Sequence, residues 1–195
     1  MVIAIILSYK IIKTIDKTYS MRQLLFLIFM VLKLTMMKLN SIGLDANKSK
    51  TLSNDLNLLL ANFQRYYQNL RGIHWNIKGK RFFDLHVKFE ELYTDANLKV
   101  DLVAERILTL GGVPLHTFED YISNSKVPVG KNISEDEAAI RLVVDSLKEL
   151  LVIERKILTA SDDANDEGTN SMMSDFITEQ EKILWMMKAW LDEAI

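Results

Sequence analysis

No cysteine occurs among the 195 residues. That excludes disulfides, zinc–thiolate sites and iron–sulfur clusters, though it leaves the compartment open. Two prolines and seven glycines are too few for the many turns of an all-β fold. Three histidines mean that any imidazole site must draw on His74, His86 and His116. The apolar run Leu24–Leu32 has nine residues, well short of the ~20 that a membrane span needs. A formal charge of −2 gives no global reason to expect nucleic acid as a partner. What remains is 49% hydrophobic and 26% charged, enough apolar material for one globular domain with a sizeable core.

Residues 1–36 differ from the rest. They are apolar and basic, with five Lys or Arg and one Asp. Leu24–Leu32 has the length of a signal-peptide core, but no small-x-small cleavage site follows it. Met37 precedes the point where an ordinary soluble pattern begins. The favoured reading is a non-native extension ahead of a natural start at Met37; an interfacial anchor or uncleaved signal are the competing ones. From Met37 onward the net charge is −6. Residues 37–50 read as a flexible polar tail, and 51–195 as the folded domain.

Within that domain the apolar spacing predicts four long helices. The first runs from about Thr51 to Ile73 on Leu52, Leu56, Leu59, Phe63, Tyr66 and Leu70. The second starts near Phe82 and stops at Gly111–Gly112, with Phe89, Leu92, Tyr93, Ala96, Val100, Val103 and Ile107 inward. About twenty residues of connection follow, long for a compact domain, with a short helix expected in FEDYIS. Such a link can cross the length of a bundle, so that helices two and three run parallel. Its Phe118, Tyr121 and Ile122 are candidates for a dimer contact. The third helix is expected to open with the capping box Ser134-x-x-Glu137 and to end near Ala160. The acidic stretch holding Asp162, Asp163, Asp166 and Glu167 reads as helix caps and a solvated loop. A fourth helix, from about Thr169 to Leu191, packs Met173, Phe176, Ile177, Ile183, Leu184 and Met187 inward.

The second helix carries the chemistry. His86 and Glu90 are four apart, as are Asp101 and Glu105, so each pair shares a helix face. The pairs lie about 60° apart in direction and roughly 22 Å apart along the axis. A single ion, with ligand bonds of about 2.0–2.6 Å, cannot span that. Two copies packed antiparallel about a two-fold axis can bring the upper pair of one against the lower pair of the other, which implies a metal site shared in a homodimer. The plainer alternative is a solvated acidic face. His116 reads as structural or merely exposed. No Glu-x-x-His occurs, which argues against a di-iron centre inside a single bundle.

HWN at His74–Asn76, FFDLH ending at His86 and DLVAER at Asp101–Arg106 together resemble the Dps mini-ferritins (DNA-binding proteins from starved cells). The resemblance spans Leu52 to Leu191. It implies an all-α fold, a ferritin-like four-helix bundle with a long crossover containing a short helix between helices two and three. It also implies a two-iron ferroxidase centre between subunits, with His74 and His86 from one chain and Asp101 and Glu105 from its partner. Glu90 stands where the family usually has Asp, and its longer arm bears on the bridging geometry. Trp75 matches a family Trp beside the iron site, as an electron donor or as interface packing. The implied protein is a cytoplasmic, hollow dodecamer that oxidises Fe(II), preferentially with hydrogen peroxide, and stores the ferric product. Acidic residues near its three-fold axes would guide iron inward. The alternative is a nucleoid-compacting DNA scaffold with little oxidase activity, for which Lys38, Lys48 and Lys50 are a sparse set of cations.

Overall fold

The computed structural model describes residues 20–35 and 38–195. It falls into two compact units, one up to Lys38 and one from Leu39 to Ile195. In the first, α1 (Met21–Thr35) leaves Leu25, Phe26 and Phe29 exposed. The proposed start at Met37 lies outside the described residues. No helix among the described residues is long and apolar enough to cross a membrane.

The second unit consists of α2 (Ala46–Asn76), α3 (Phe82–Thr109), the short α4 (Phe118–Asn124), α5 (Asp136–Asp163) and α6 (Glu167–Trp190). All six residues expected on the buried stripe of α2 are buried, as are Phe89, Ala96, Val103 and Ile107 of α3. Helix α2 begins five residues before the expected Thr51. The side chain of Asp45 caps it, accepting from the amides of Asn47 and Lys48 at 2.9 Å each. That first turn is polar, so apolar spacing does not reveal it. Helix α3 ends where expected. Leu110 closes it, and Gly111 follows at φ +87°, a left-handed conformation that glycine adopts without strain.

The expected capping box on α5 is not formed. Glu135 is the cap, its carboxylate accepting from Ala138 N at 3.2 Å. The carbonyl of Ser134 instead accepts from Lys78 N at 3.0 Å, which ties the end of α2 to the start of α5. Helix α5 also runs three residues past Ala160, so the acidic loop shrinks to Ala164–Asp166. Asp166 caps α6 through Thr169 N, and its buried carboxylate pairs with Arg106 near the end of α3.

These ties set the directions of the helices. Gly112 lies against Ser53, near the start of α2, so α3 runs antiparallel to α2. Lys78–Ser134 at one end and Lys156–Asp55 at 2.6 Å toward the other make α5 antiparallel to α2 as well. Helices α3 and α5 are therefore parallel, as the long link implied. Arg81 over the Trp190 ring at 4.3 Å and Arg106 against Asp166 run α6 back along α3.

The crossover needs partners for peptide groups that no helix or sheet satisfies. Polar side chains on α2 supply them. Asn57 bonds Val113 O and Leu115 N at 3.0 and 2.8 Å. The Asn62 carbonyl accepts from Lys126 N, Val127 N and Ser125 Oγ at 2.8–3.2 Å. Arg65 donates to the carbonyls of Ile122, Ser125 and Val127, and Asn69 spans Pro128 O and Gly130 N. The short helix forms with Thr117 as its cap, leaving Phe118 and Ile122 exposed.

Candidate metal centre

His74 occupies the last turn of α2 and His86 the second turn of α3, twelve residues later. The two bond each other reciprocally. His74 Nδ1 lies 2.8 Å from His86 O, and His86 Nδ1 lies 2.9 Å from His74 O. A carbonyl only accepts, so each Nδ1 carries its proton and donates. In the neutral ring Nε2 then has the lone pair with which imidazole binds a metal. The end of α2 makes this possible. Lys78 N, the normal helical partner of His74 O, is turned to Ser134 O, and the freed carbonyl takes the His86 ring instead. The rings stack at 3.8 Å between centroids and 20° between planes, and Phe82 stacks on the far side of His86 at 4.9 Å.

Glu90, one turn beyond His86, completes the group. One ligand atom each from His74, His86 and Glu90 lie within 4.8 Å of one another, the one such set of three among the described residues. His74 is buried, His86 half-buried and Glu90 exposed, so the cluster opens from the core toward solvent. The hydroxyl of Tyr93 donates to Glu90 Oε1 at 3.3 Å, and its ring meets His74 edge-on at 5.2 Å. Burial first, then the Glu90 carboxylate, pushes that hydroxyl above its ordinary pKa, so it remains a donor. Reading from the sequence missed Tyr93, although its place three after Glu90 and seven after His86 puts it near the same face. Trp75 is exposed, with the Arg71 guanidinium 4.7 Å from its ring centre. His116 is exposed and donates only to Pro114 O.

Asp101 and Glu105 are exposed on the outward side of α3. Within one chain they stand apart from the cluster, since eleven residues of helix separate Glu90 from Asp101, roughly 16 Å. Between and beside them the same side of α3 exposes Val87, Leu98 and Leu102, the last two 60% and 49% accessible.

A ferritin-like domain matches residues 53–194. The "DNA protection during starvation protein" of Porphyromonas gingivalis is 39% identical over 148 residues, 76% of this chain and 93% of that protein. The crystal structure of the Dps protein from Vibrio cholerae O1, described as one of a broad superfamily of ferritin-like diiron-carboxylate proteins, has 48% identity and a TM-score of 0.77 over 78% of this chain and 96% of its own. This chain belongs to the Dps family. An uncharacterized protein of Haemophilus influenzae is also similar, at 49% identity over 78% of this chain and 96% of its own length. The all-helical bundle read from the pattern is thus the Dps fold. Two imidazoles with free Nε2 atoms and a carboxylate fit the iron of a diiron-carboxylate protein, because that mixed nitrogen and oxygen donor set suits Fe(II).

Proposed function

We propose that the protein is a ferroxidase that oxidises Fe(II), preferentially with hydrogen peroxide, at a two-iron site shared between two copies of the chain, and stores the ferric product inside a dodecameric shell in the cytoplasm. The observation that carries this reading is the convergence of His74, His86 and Glu90, with each Nδ1 committed to a backbone carbonyl so that Nε2 is the nitrogen left for a metal. Three ligands from one chain hold one substrate iron and leave the second incomplete. Asp101 and Glu105 of the partner subunit supply the missing anionic oxygens, with Glu105 as the bridge. The apolar residues on the outward side of α3 support that assembly, because Leu98 and Leu102 lie beside those two acids and are exposed among the described residues.

The chemistry is a two-electron reduction. Each of two Fe(II) ions gives up one electron, the O–O bond of one peroxide breaks, and two protons complete two water molecules. Holding both ions together removes the one-electron route that would release hydroxyl radical. The imidazoles are fixed in advance by their backbone bonds, which raises the basicity of the ligating nitrogens. Tyr93 orients Glu90. Trp75, beside the site, donates an electron when a single iron is present.

DNA compaction is the second reading, favoured by the name of the Porphyromonas gingivalis relative. The lysines counted toward it support it poorly: Lys48 lies in the first turn of α2, and its ammonium is taken up by the carbonyl of Asp163. A gel shift at low salt, lost as salt rises, would favour it.

The test is anaerobic Fe(II) binding, followed by peroxide addition and ferric absorbance. Parent protein, a His74→Ala/His86→Ala variant and an Asp101→Ala/Glu105→Ala variant are compared, with assembly checked by size. Saturable binding and fast oxidation in the parent alone is the expected result. Equal behaviour of the three proteins would sink the assignment.

A further inference from the structure

Ferritin-like bundles with an internal metal centre point carboxylates and imidazoles inward from all four helices. This chain has no such set, yet the middle of its bundle is not apolar. Among the buried polar side chains, one from each long helix gathers near the middle: Tyr66 from α2, Lys99 from α3, Glu154 from α5 and Gln180 from α6. Their exposures are 4%, 4%, 0% and 2%. Glu154 and Gln180 meet directly, and the helix register brings Tyr66 and Lys99 toward them. Gln180 Nε2 donates to Glu154 Oε1 directly. Helices α2 and α6 run parallel, and Phe63 meets Phe176 edge-on at 5.9 Å; Tyr66 is three residues past the first and Gln180 four past the second. The Lys99 ammonium lies over the same Phe176 ring, 5.2 Å from its centre.

Three atoms of this layer have no hydrogen-bond partner among the described residues: Tyr66 Oη, Glu154 Oε2 and Gln180 Oε1. One such atom is a tolerable expense; three in a close-packed core are not, at roughly 1–3 kcal/mol each. Their chemistry is complementary to one small molecule. The phenol offers a donor and the amide oxygen an acceptor, while Glu154 Oε2 offers an acceptor when ionised and an O–H donor when protonated. Water, with two lone pairs and two O–H groups, satisfies all three in either state. A metal cation is disfavoured, because the Lys99 ammonium already supplies positive charge here, bonded to Asp95 at 2.5 Å and Glu179 at 2.7 Å.

We propose that Tyr66, Glu154 and Gln180 form a buried water-binding site at the centre of the bundle, in which a long-lived water joins α2, α5 and α6 and fixes their register. Such a water is an integral part of a core, with about three hydrogen bonds of its own. The layer uses lysine and water where other bundles of this architecture use metal ions and acids.

A high-resolution crystal structure of the full chain tests it. The expected result is a solvent peak about 2.7–3.2 Å from all three oxygens. A peak with contacts of about 2.0–2.6 Å would mark a cation and overturn the proposal, as would side chains repacked to bond each other with no peak between them. Water oxygen-17 relaxation dispersion on the assembled protein gives a second readout. The parent should show one more long-lived water per chain than Gln180→Leu, and equal amplitudes in the two folded proteins would overturn the proposal. Should the variant fail to assemble, the parent crystal structure decides alone.

Discussion

Glu154 makes stability depend on pH with a sign opposite to that of a paired surface carboxylate. Its side chain is fully buried. Burial pushes its pKa from 4.5 up to about 7, against smaller opposing effects from the Gln180 amide, Lys99 on α3 and Arg155 on its own helix. The titratable groups on the surrounding elements include Tyr66 on α2, Asp95 on α3, bonded to Lys99, and Glu179 and Glu181 on α6. Below about pH 4.5 both the folded and the unfolded chain hold the proton, and the group is neutral in the balance. Between 4.5 and 7 only the folded chain holds it, so stability falls as pH rises. Above 7 both have released it and the loss levels off. A shift of this size corresponds to about 3 kcal/mol, at 1.36 kcal/mol per unit. Glu154→Gln has no proton to lose. Urea unfolding of parent and variant at equal protein concentration, from pH 5 to pH 8, isolates the group, because every other titration cancels in the difference. The expected difference curve moves by about 3 kcal/mol against the parent over that range. A flat curve, or one that favours the parent as pH rises, would refute the account of Glu154 as a carboxyl kept protonated by burial.

The remaining predictions concern the other unusual features. Arg106→Met leaves the buried Asp166 carboxylate with only its Thr169 donors, and should lower unfolding stability by about 3 kcal/mol; a loss under 1 kcal/mol in urea would show that the pair is not a structural tie. Asn62→Ala removes one acceptor from three donors of the crossover. About 1–3 kcal/mol should be lost, with faster hydrogen exchange at the Val127 amide and little change in α5 and α6. Leu98→Lys/Leu102→Lys puts charge on the outward side of α3 without touching a ligand. Sedimentation should show smaller species with parent-like helicity, and iron oxidation should fall with assembly; full activity in a monomer would contradict the shared site.

The fold was legible wherever apolar periodicity governs. Leu52, Leu56, Phe63 and Leu70 on α2, and Ile140, Leu147 and Ile157 on α5, are buried as their spacing requires. The long crossover and the parallel course of α3 and α5 followed from chain length alone. Misses came where polar groups do the positioning. The first turn of α2 is set by Asp45, α5 by Glu135 rather than Ser134, and the crossover by Asn57, Asn62, Arg65 and Asn69. Tyr66 was read as part of an apolar stripe. Lys99, Glu154 and Gln180 interrupt their stripes and were passed over, because a charged residue in a helix is ordinarily a surface residue.

The centre shows a related division. Four-residue spacing brought out His86 with Glu90, and Asp101 with Glu105, because one helix carries each pair. His74 is on another helix, and only the resemblance joined it to His86. What joins them physically is a backbone event: Lys78 N leaves the α2 ladder for Ser134 O, and His74 O becomes free to orient the other ring. Ser134 immediately precedes the cap of α5, so the crossover that makes α3 and α5 parallel also sets the chain end on which the imidazole pair depends. The polar side chains of α2 that hold that crossover are therefore part of what builds the centre, although none of them approaches a ligand. The outward side of α3 answers to a different constraint. Its acids and leucines meet no requirement of the single chain's core, and that mixture of anionic and apolar exposure is what a second copy of the same helix would complete.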